Sequence, residues 1–165
     1  MIIKDIDLMD FVLVFFSEMT LAEWGSYLYC LLQRLNVETT YHEDKGGHIS
    51  ICCPYFTLFL DTGEELGMDY YWEEFAFRAN IEIELQMFVI TSDIGIDVLF
   101  KMLSLITEEK PENFILLDIN GVIILKREAD VFYKSNSVEE YGKYGTHFPY
   151  NLLSREIKEV NRIVS

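Results

Sequence analysis

Basic residues are scarce in this chain. Its 165 residues hold 13 Lys and Arg against 28 Asp and Glu, a formal net charge of -15. That balance excludes a general nucleic-acid binder, which has to neutralise phosphates with Lys and Arg. It also argues against docking on an anionic membrane surface. Cysteine is equally thin: Cys30, Cys52 and Cys53 form an odd set with no C-x-x-C spacing. A strand would send the neighbours Cys52 and Cys53 to opposite faces, so all three read as reduced thiols of a cytoplasmic protein. Long apolar runs are missing too. The longest, residues 11–16 (FVLVFF), is far too short to cross a bilayer. The opening MIIKDIDLMD has acids where a secretory leader needs bases, so no signal peptide is expected. Gly46-Gly47 precedes a strand, not a helix, and makes no phosphate loop. No nucleophile motif is present. His42 and His48 flank a turn, His147 is remote, and the cysteines complete no ligand set, so neither metal nor cofactor is expected.

Half the residues are apolar and 15% are aromatic, which excludes a disordered chain. The length suits a single domain spanning residues 1–165. Residues 135–165 are set apart as a candidate C-terminal extension of lower order.

The charge is unevenly placed. Residues 61–84 (DTGEELGMDYYWEEFAFRANIEIE) carry eight acids and one base, Arg78. Tyr70, Tyr71 and Trp72 sit among Glu64, Glu65, Asp69 and Glu73, and Glu82 and Glu84 follow. Opposite potentials steer encounter and aromatics supply buried anchors, so this stretch can face a basic protein partner. The plainer reading is a solvated acidic loop with its rings tucked into the core.

Along the chain, residues 11–16 read as a strand covered on both faces. Thr20-Leu21-Ala22-Glu23 is a capping box. Leu21, Trp24, Leu28, Leu31, Leu32 and Leu35 then make a helical stripe ending near Asn36, with Cys30 as a packed thiol. Residues 37–43 and 48–53 form a hairpin, and residues 55–60 a further strand. From Glu74 to Met87 apolar residues recur at every second position, which predicts a long strand with one dry and one wet face, the carboxylates on the wet one. Ser92 caps a second helix, whose stripe is Leu99, Met102, Leu103 and Ile106. Asn120-Gly121 between apolar runs predicts a type I′ hairpin, and residues 131–133 a short strand. Leu152, Leu153, Ile157, Val160 and Ile163 suit a C-terminal helix. The fold expected is α+β: a mostly antiparallel sheet with two helices on one face, arranged as two βαββ halves, plus that C-terminal helix.

Two pieces carry a resemblance. Glu74-Phe75-Ala76-Phe77-Arg78, a following helix, and residues 113–127 (NFILLDINGVIILKR) resemble bacterial immunity proteins, the cognate neutralisers of contact-dependent and polymorphic toxins. The matching parts are the Phe-x-Phe-Arg strand and the hairpin of two apolar strands with Asn-Gly at its tip and Arg at its end. Where a Gly-Asp pair is expected before the hairpin, this chain has Glu112-Asn113. The resemblance implies a small cytoplasmic protein without catalysis that binds the C-terminal domain of one toxin. That toxin would be a nuclease with a basic cleft. Partner-binding residues would then be Glu64, Glu65, Asp69, Tyr70, Tyr71, Trp72, Glu73, Glu82 and Glu84.

A second class stays open. Glu82 and Glu84 lie on one strand face ~7 Å apart, a spacing that acid–base pairs use. With Arg78 they would line the pocket of a small-molecule enzyme or ligand-binding domain. A third reading, an adaptor, would present the C-terminal helix to its partner.

Overall fold

The computed structural model describes residues 7–61, 69–138, 146–153 and 155–160. In chain order the elements are β1 (Leu8–Phe15), α1 (Leu21–Arg34), β2 (Thr40–Glu43), β3 (Ile49–Cys52), β4 (Phe56–Asp61), α2 (Asp69–Phe75), β5 (Ile81–Phe88), α3 (Ser92–Glu109), β6 (Phe114–Asp118), β7 (Ile123–Glu128), β8 (Val131–Ser135) and β9 (Ile157–Val160). Among the described residues the nine strands join one sheet, ordered β2-β3-β4-β5-β1-β6-β7-β8-β9. Every pairing is antiparallel except β8 with β9.

The expected α+β class holds, with α1 and α3 on the same face. Chain direction explains this. β1 and β5 are antiparallel neighbours. The crossover after β1 runs toward β2 at one edge, and that after β5 runs the opposite way, past β1 to β6. Crossovers of one hand leaving antiparallel strands in opposite directions lay their helices on one face. The two halves share an element order but are not copies in space. The first half returns inward from the edge; the second proceeds outward from the centre.

Helix α1 follows its sequence signals. Thr20 is the N-cap and its hydroxyl accepts from the Glu23 amide at 3.1 Å. Trp24, Leu28, Leu31 and Leu32 are fully buried, each leucine contributing roughly 1.5–3 kcal/mol. Trp24 stacks on Phe15 with ring centres 4.4 Å apart. Cys30 is exposed, not packed, because it falls one position off that stripe. Both Arg34 nitrogens donate to Glu109 at 2.7 and 2.8 Å, and the Tyr27 hydroxyl adds a third bond, tying α1 to the end of α3.

Three local expectations change. A 3-10 turn, Val89–Thr91, precedes α3, so Thr91 and not Ser92 is the N-cap, without a side-chain bond. The β6–β7 connection is a three-residue turn, not type I′. Only Gly121 has positive φ (76°), the Gly121 amide donates to the Asp118 carbonyl at 3.2 Å, and the Asp118 carboxylate accepts from the Asn120 and Val122 amides. After His147 the chain makes one 3-10 turn, Tyr150–Leu152, and then the strand β9. Of the residues expected in a C-terminal helix, Leu152 falls in that 3-10 turn, Ile157 and Val160 lie in strand β9 instead, and Ile163 lies outside the described residues. Phe148, Tyr150 and Leu153 pack on the main core, and the Tyr150 hydroxyl donates to the Ile124 carbonyl at 2.7 Å. Among the described residues no helix is long and apolar enough to cross a membrane.

Candidate functional site

From Asp69 on, the acidic stretch is not a loop feeding a long strand. Asp61 ends β4, and Asp69–Phe75 form α2, sequence DYYWEEF. Tyr71 and Phe75, four apart, are the buried face of this helix. They pack with Val14, Ile115, Leu117 and Ile123, a small second core on the face opposite α1 and α3. Asp69 in the first turn complements the helix dipole. At the far end Ala76 adopts φ 50° and its amide donates to the Trp72 carbonyl at 2.9 Å, a left-handed cap in which Ala stands where Gly is usual.

The predicted alternation from Phe75 onward is real in spacing but not in face. Phe75, Phe77 and Ala79 belong to the second core, whereas Ile81, Ile83, Leu85 and Met87 belong to the first. The chain changes sides at Asn80. There the amide donates to the Phe15 carbonyl at 2.9 Å, and the side chain bonds both the amide and the carbonyl of Ser17.

This arrangement divides the predicted partner-binding residues. Tyr70 (48% exposed) and Trp72 (56%) project from α2. Asp69, Glu73 and Glu84 are also exposed. Tyr71 and Glu82 are not available at the surface: they are 6% and 8% exposed, and the Tyr71 hydroxyl donates to the Glu82 carboxylate at 2.6 Å. Tyr71 has to sit inward because it anchors α2, and Glu82 lies on the strand face that α2 covers. Glu64 and Glu65 lie outside the described residues.

Electrostatics at the buried pair are strained. Asp61 is the direct cross-strand partner of Glu82, and Glu84 lies two residues along. Burial first, then these two charges, push the Glu82 carboxyl above the usual carboxylate value, while the Tyr71 hydrogen bond pulls it back. Burial and the Glu82 contact push the Tyr71 phenol up in turn.

Two cavities take in predicted site residues. One, of about 310 Å³, lies over β2–β5 and is lined by Glu82, Glu84, Asp61, Phe59, His42 and His48 among others. The other, of about 790 Å³, lies at the C-terminal end of α2 beside Trp72, Arg78 and Phe16. Arg78 therefore does not share a pocket with Glu82 and Glu84, as the small-molecule reading required. Its guanidinium lies 6.0 Å from the Trp72 ring centre instead. Among the described residues no group of three or more His, Cys, Asp or Glu is placed to hold a metal ion.

Sequence reasoning missed Phe16, Glu18, Glu112, Glu128 and Tyr133, which line the larger cavity from three distant parts of the chain. No local signal marks them; the sheet order alone brings them together. The chain matches no protein-family model, no curated protein and no solved structure.

Proposed function

We propose that the chain is a cytoplasmic immunity protein that binds and neutralises a cognate basic toxin domain, a nuclease. One observation carries this reading. The outer side of α2 offers two half-exposed rings, Tyr70 and Trp72, among the exposed acids Asp69, Glu73 and Glu74. Helix α2 lies on the sheet face that bears Glu84, also exposed, so these groups look toward the same side. Rings among like charges supply contact area, and the charges supply steering toward a positive cleft. The resemblance of the 113–127 hairpin to immunity proteins points the same way, whereas residues 74–78 do not form the strand that the resemblance implied, since α2 ends at Phe75 and β5 begins at Ile81.

The test is binding between this protein and the toxic C-terminal domain encoded by the gene upstream of its own, followed over a salt series. Association is expected to slow by about tenfold or more from low to high salt, because the steering charges are exposed and screened. If no such domain is encoded there, or if it does not bind, the reading falls.

The enzyme or ligand-binding reading keeps one observation of its own: the raised Glu82 carboxyl in a cavity with Glu84, Asp61 and two histidines. Glu82 is held by Tyr71, and Arg78 is elsewhere. A small-molecule screen by thermal shift, repeated on Glu84→Gln, tests it; hits lost in the variant would favour it over the immunity reading.

A further inference from the structure

The larger cavity is the best-built concavity beside the proposed interface. Its floor is pinned by a polar network. The Ser17 hydroxyl accepts from the Trp24 indole at 3.0 Å and donates to the Glu112 carboxylate at 3.0 Å. Asn80 clamps the Ser17 backbone from the other side, at 2.9 and 2.7 Å. The Asn113 side chain accepts from the Ala129 amide at 2.9 Å. A cavity whose walls are tied in this way holds its shape before a ligand arrives, which reduces the ordering cost of binding.

Its rim is aromatic and its lining is negative. Phe16 and Trp72 are 53% and 56% exposed, an unusual pair of large rings to leave in water. Three carboxylates line the cavity, those of Glu18, Glu112 and Glu128, against one cation, Arg78. Lys126 already holds Glu128 at 2.8 Å. Glu18 has no ion-pair partner among the described residues, and Glu112 has one buried oxygen, Oε2, without a hydrogen-bond partner. The chain itself shows what the Trp72 face accepts, since the Arg78 guanidinium lies 6.0 Å from its centre.

From this geometry we infer that the cavity between the end of β1, the C-terminal end of α2 and the β7–β8 turn receives an arginine side chain projecting from the basic partner protein. The inference deepens the immunity reading and rests on it for the identity of that partner. With Glu128 already held by Lys126, the lining carboxylates left to be met are those of Glu18 and Glu112, and neither an anion nor a neutral apolar group would supply them with counter-charge. A guanidinium meets both requirements at once: it stacks flat on an aromatic ring and forks its N–H groups to carboxylates, which the compact ammonium of lysine does less well. Arg78 then either shares the Trp72 face from its outer side or swings away. Its own exposure makes that displacement cheap.

Two measurements on the full chain test this separately from the immunity reading. The first titrates N-acetyl-arginine amide into the ¹⁵N-labelled protein, with the citrulline analogue, equal in shape but uncharged, as control. Saturable shifts are expected at the Trp72 indole and at the amides of Arg78 and Ala129, with the Gly46 and Gly47 amides of the β2–β3 turn, outside the cavity lining, serving as the internal reference. Trp72→Ala is expected to weaken binding about three- to tenfold, and Glu18→Gln by less. Shifts elsewhere, or equal shifts with citrulline, would overturn the inference. The second measures the upstream-encoded toxin domain against the wild type and a Phe16→Ser, Glu18→Gln double variant, which alters the cavity and leaves the outer side of α2 untouched. Equal affinities would remove the cavity as an anchor while leaving the immunity reading intact. Arginine amide binding in the cavity without any toxin binding would do the reverse.

Discussion

Replacing Tyr71 with Phe removes one hydroxyl and keeps the ring that anchors α2. Glu82, 8% exposed, then loses its 2.6 Å donor. Losing a hydrogen bond to a buried charged group costs about 1.5–3 kcal/mol, so the variant should be destabilised by that amount at pH 7.5. The pH dependence is more diagnostic than the size. Burial, then the charges of Asp61 and Glu84, hold the folded Glu82 carboxyl above its usual value. The folded protein therefore keeps this proton to a higher pH than the unfolded chain does. The associated stability is fully present below the ordinary carboxylate value and is lost as pH rises through the raised folded value. Removing the hydroxyl takes away the one contribution that lowers the folded value, so the window widens upward. The deficit of Tyr71→Phe is largest above that window and shrinks, as the pH falls and Glu82 is protonated, toward the ~1 kcal/mol of a neutral hydrogen bond. Urea denaturation at pH 7.5 and pH 4 reads both values. In a Glu82→Gln background the pH dependence of the deficit should disappear, closing a double-mutant cycle. A variant within about 0.5 kcal/mol of the wild type at both pH values would behave like an ordinary surface substitution. That would refute the buried pair.

Three further outcomes follow from the fold. Thr20→Ala removes the acceptor of the Glu23 amide and should lower stability by about 1 kcal/mol, measured by chemical denaturation. Leu28→Ala, in a fully buried position of α1, should cost about 2–5 kcal/mol by the same assay. Ala76→Gly relieves a left-handed Ala at the end of α2 and should raise the melting temperature; the gain is up to about 1 kcal/mol, because Gly also makes the unfolded chain more flexible.

Where one physical signal dominates, the sequence is a good guide to this fold. Thr20 and the leucine stripe of α1 and the apolar run of β1 each have a local cause that nothing in the tertiary structure overrides. Helix α2 was hidden because the period-2 and period-4 patterns share positions. Tyr71 and Phe75 are four apart, and so belong equally to a strand's alternation and to a helix's face. Once Phe77 and Ala79 extend the odd positions, the strand reading wins locally. Only the turn at Asn80, bonded to Ser17 far back in the chain, reveals that the odd residues before and after it face different layers. The C-terminal end misleads for a related reason. Ile157 and Val160 are spaced for one helical face, yet β9 leaves both half-buried against β8 at the sheet's edge.

The candidate site was legible as a charge and less so as a surface. Counting acids located the stretch and its rings but not the helix that carries them. It could not tell that Tyr71 and Glu82 satisfy each other inside, since that contact depends on α2 packing over β1, β6 and β7 so that Tyr71 reaches Glu82 on β5. Nor could it find the second cavity, whose walls come from β1, α2 and the β7–β8 turn.

The central claim, that this acidic aromatic face silences a basic nuclease, is tested most directly by inhibition. The upstream-encoded domain's cleavage of nucleic acid is titrated with the wild type and with a Trp72→Ala, Glu73→Lys double variant. The account predicts complete, near-stoichiometric inhibition by the wild type and a loss of inhibition of at least about tenfold in the variant, whose fold is unchanged because both side chains are exposed. Full nuclease activity in the presence of excess wild-type protein would contradict it.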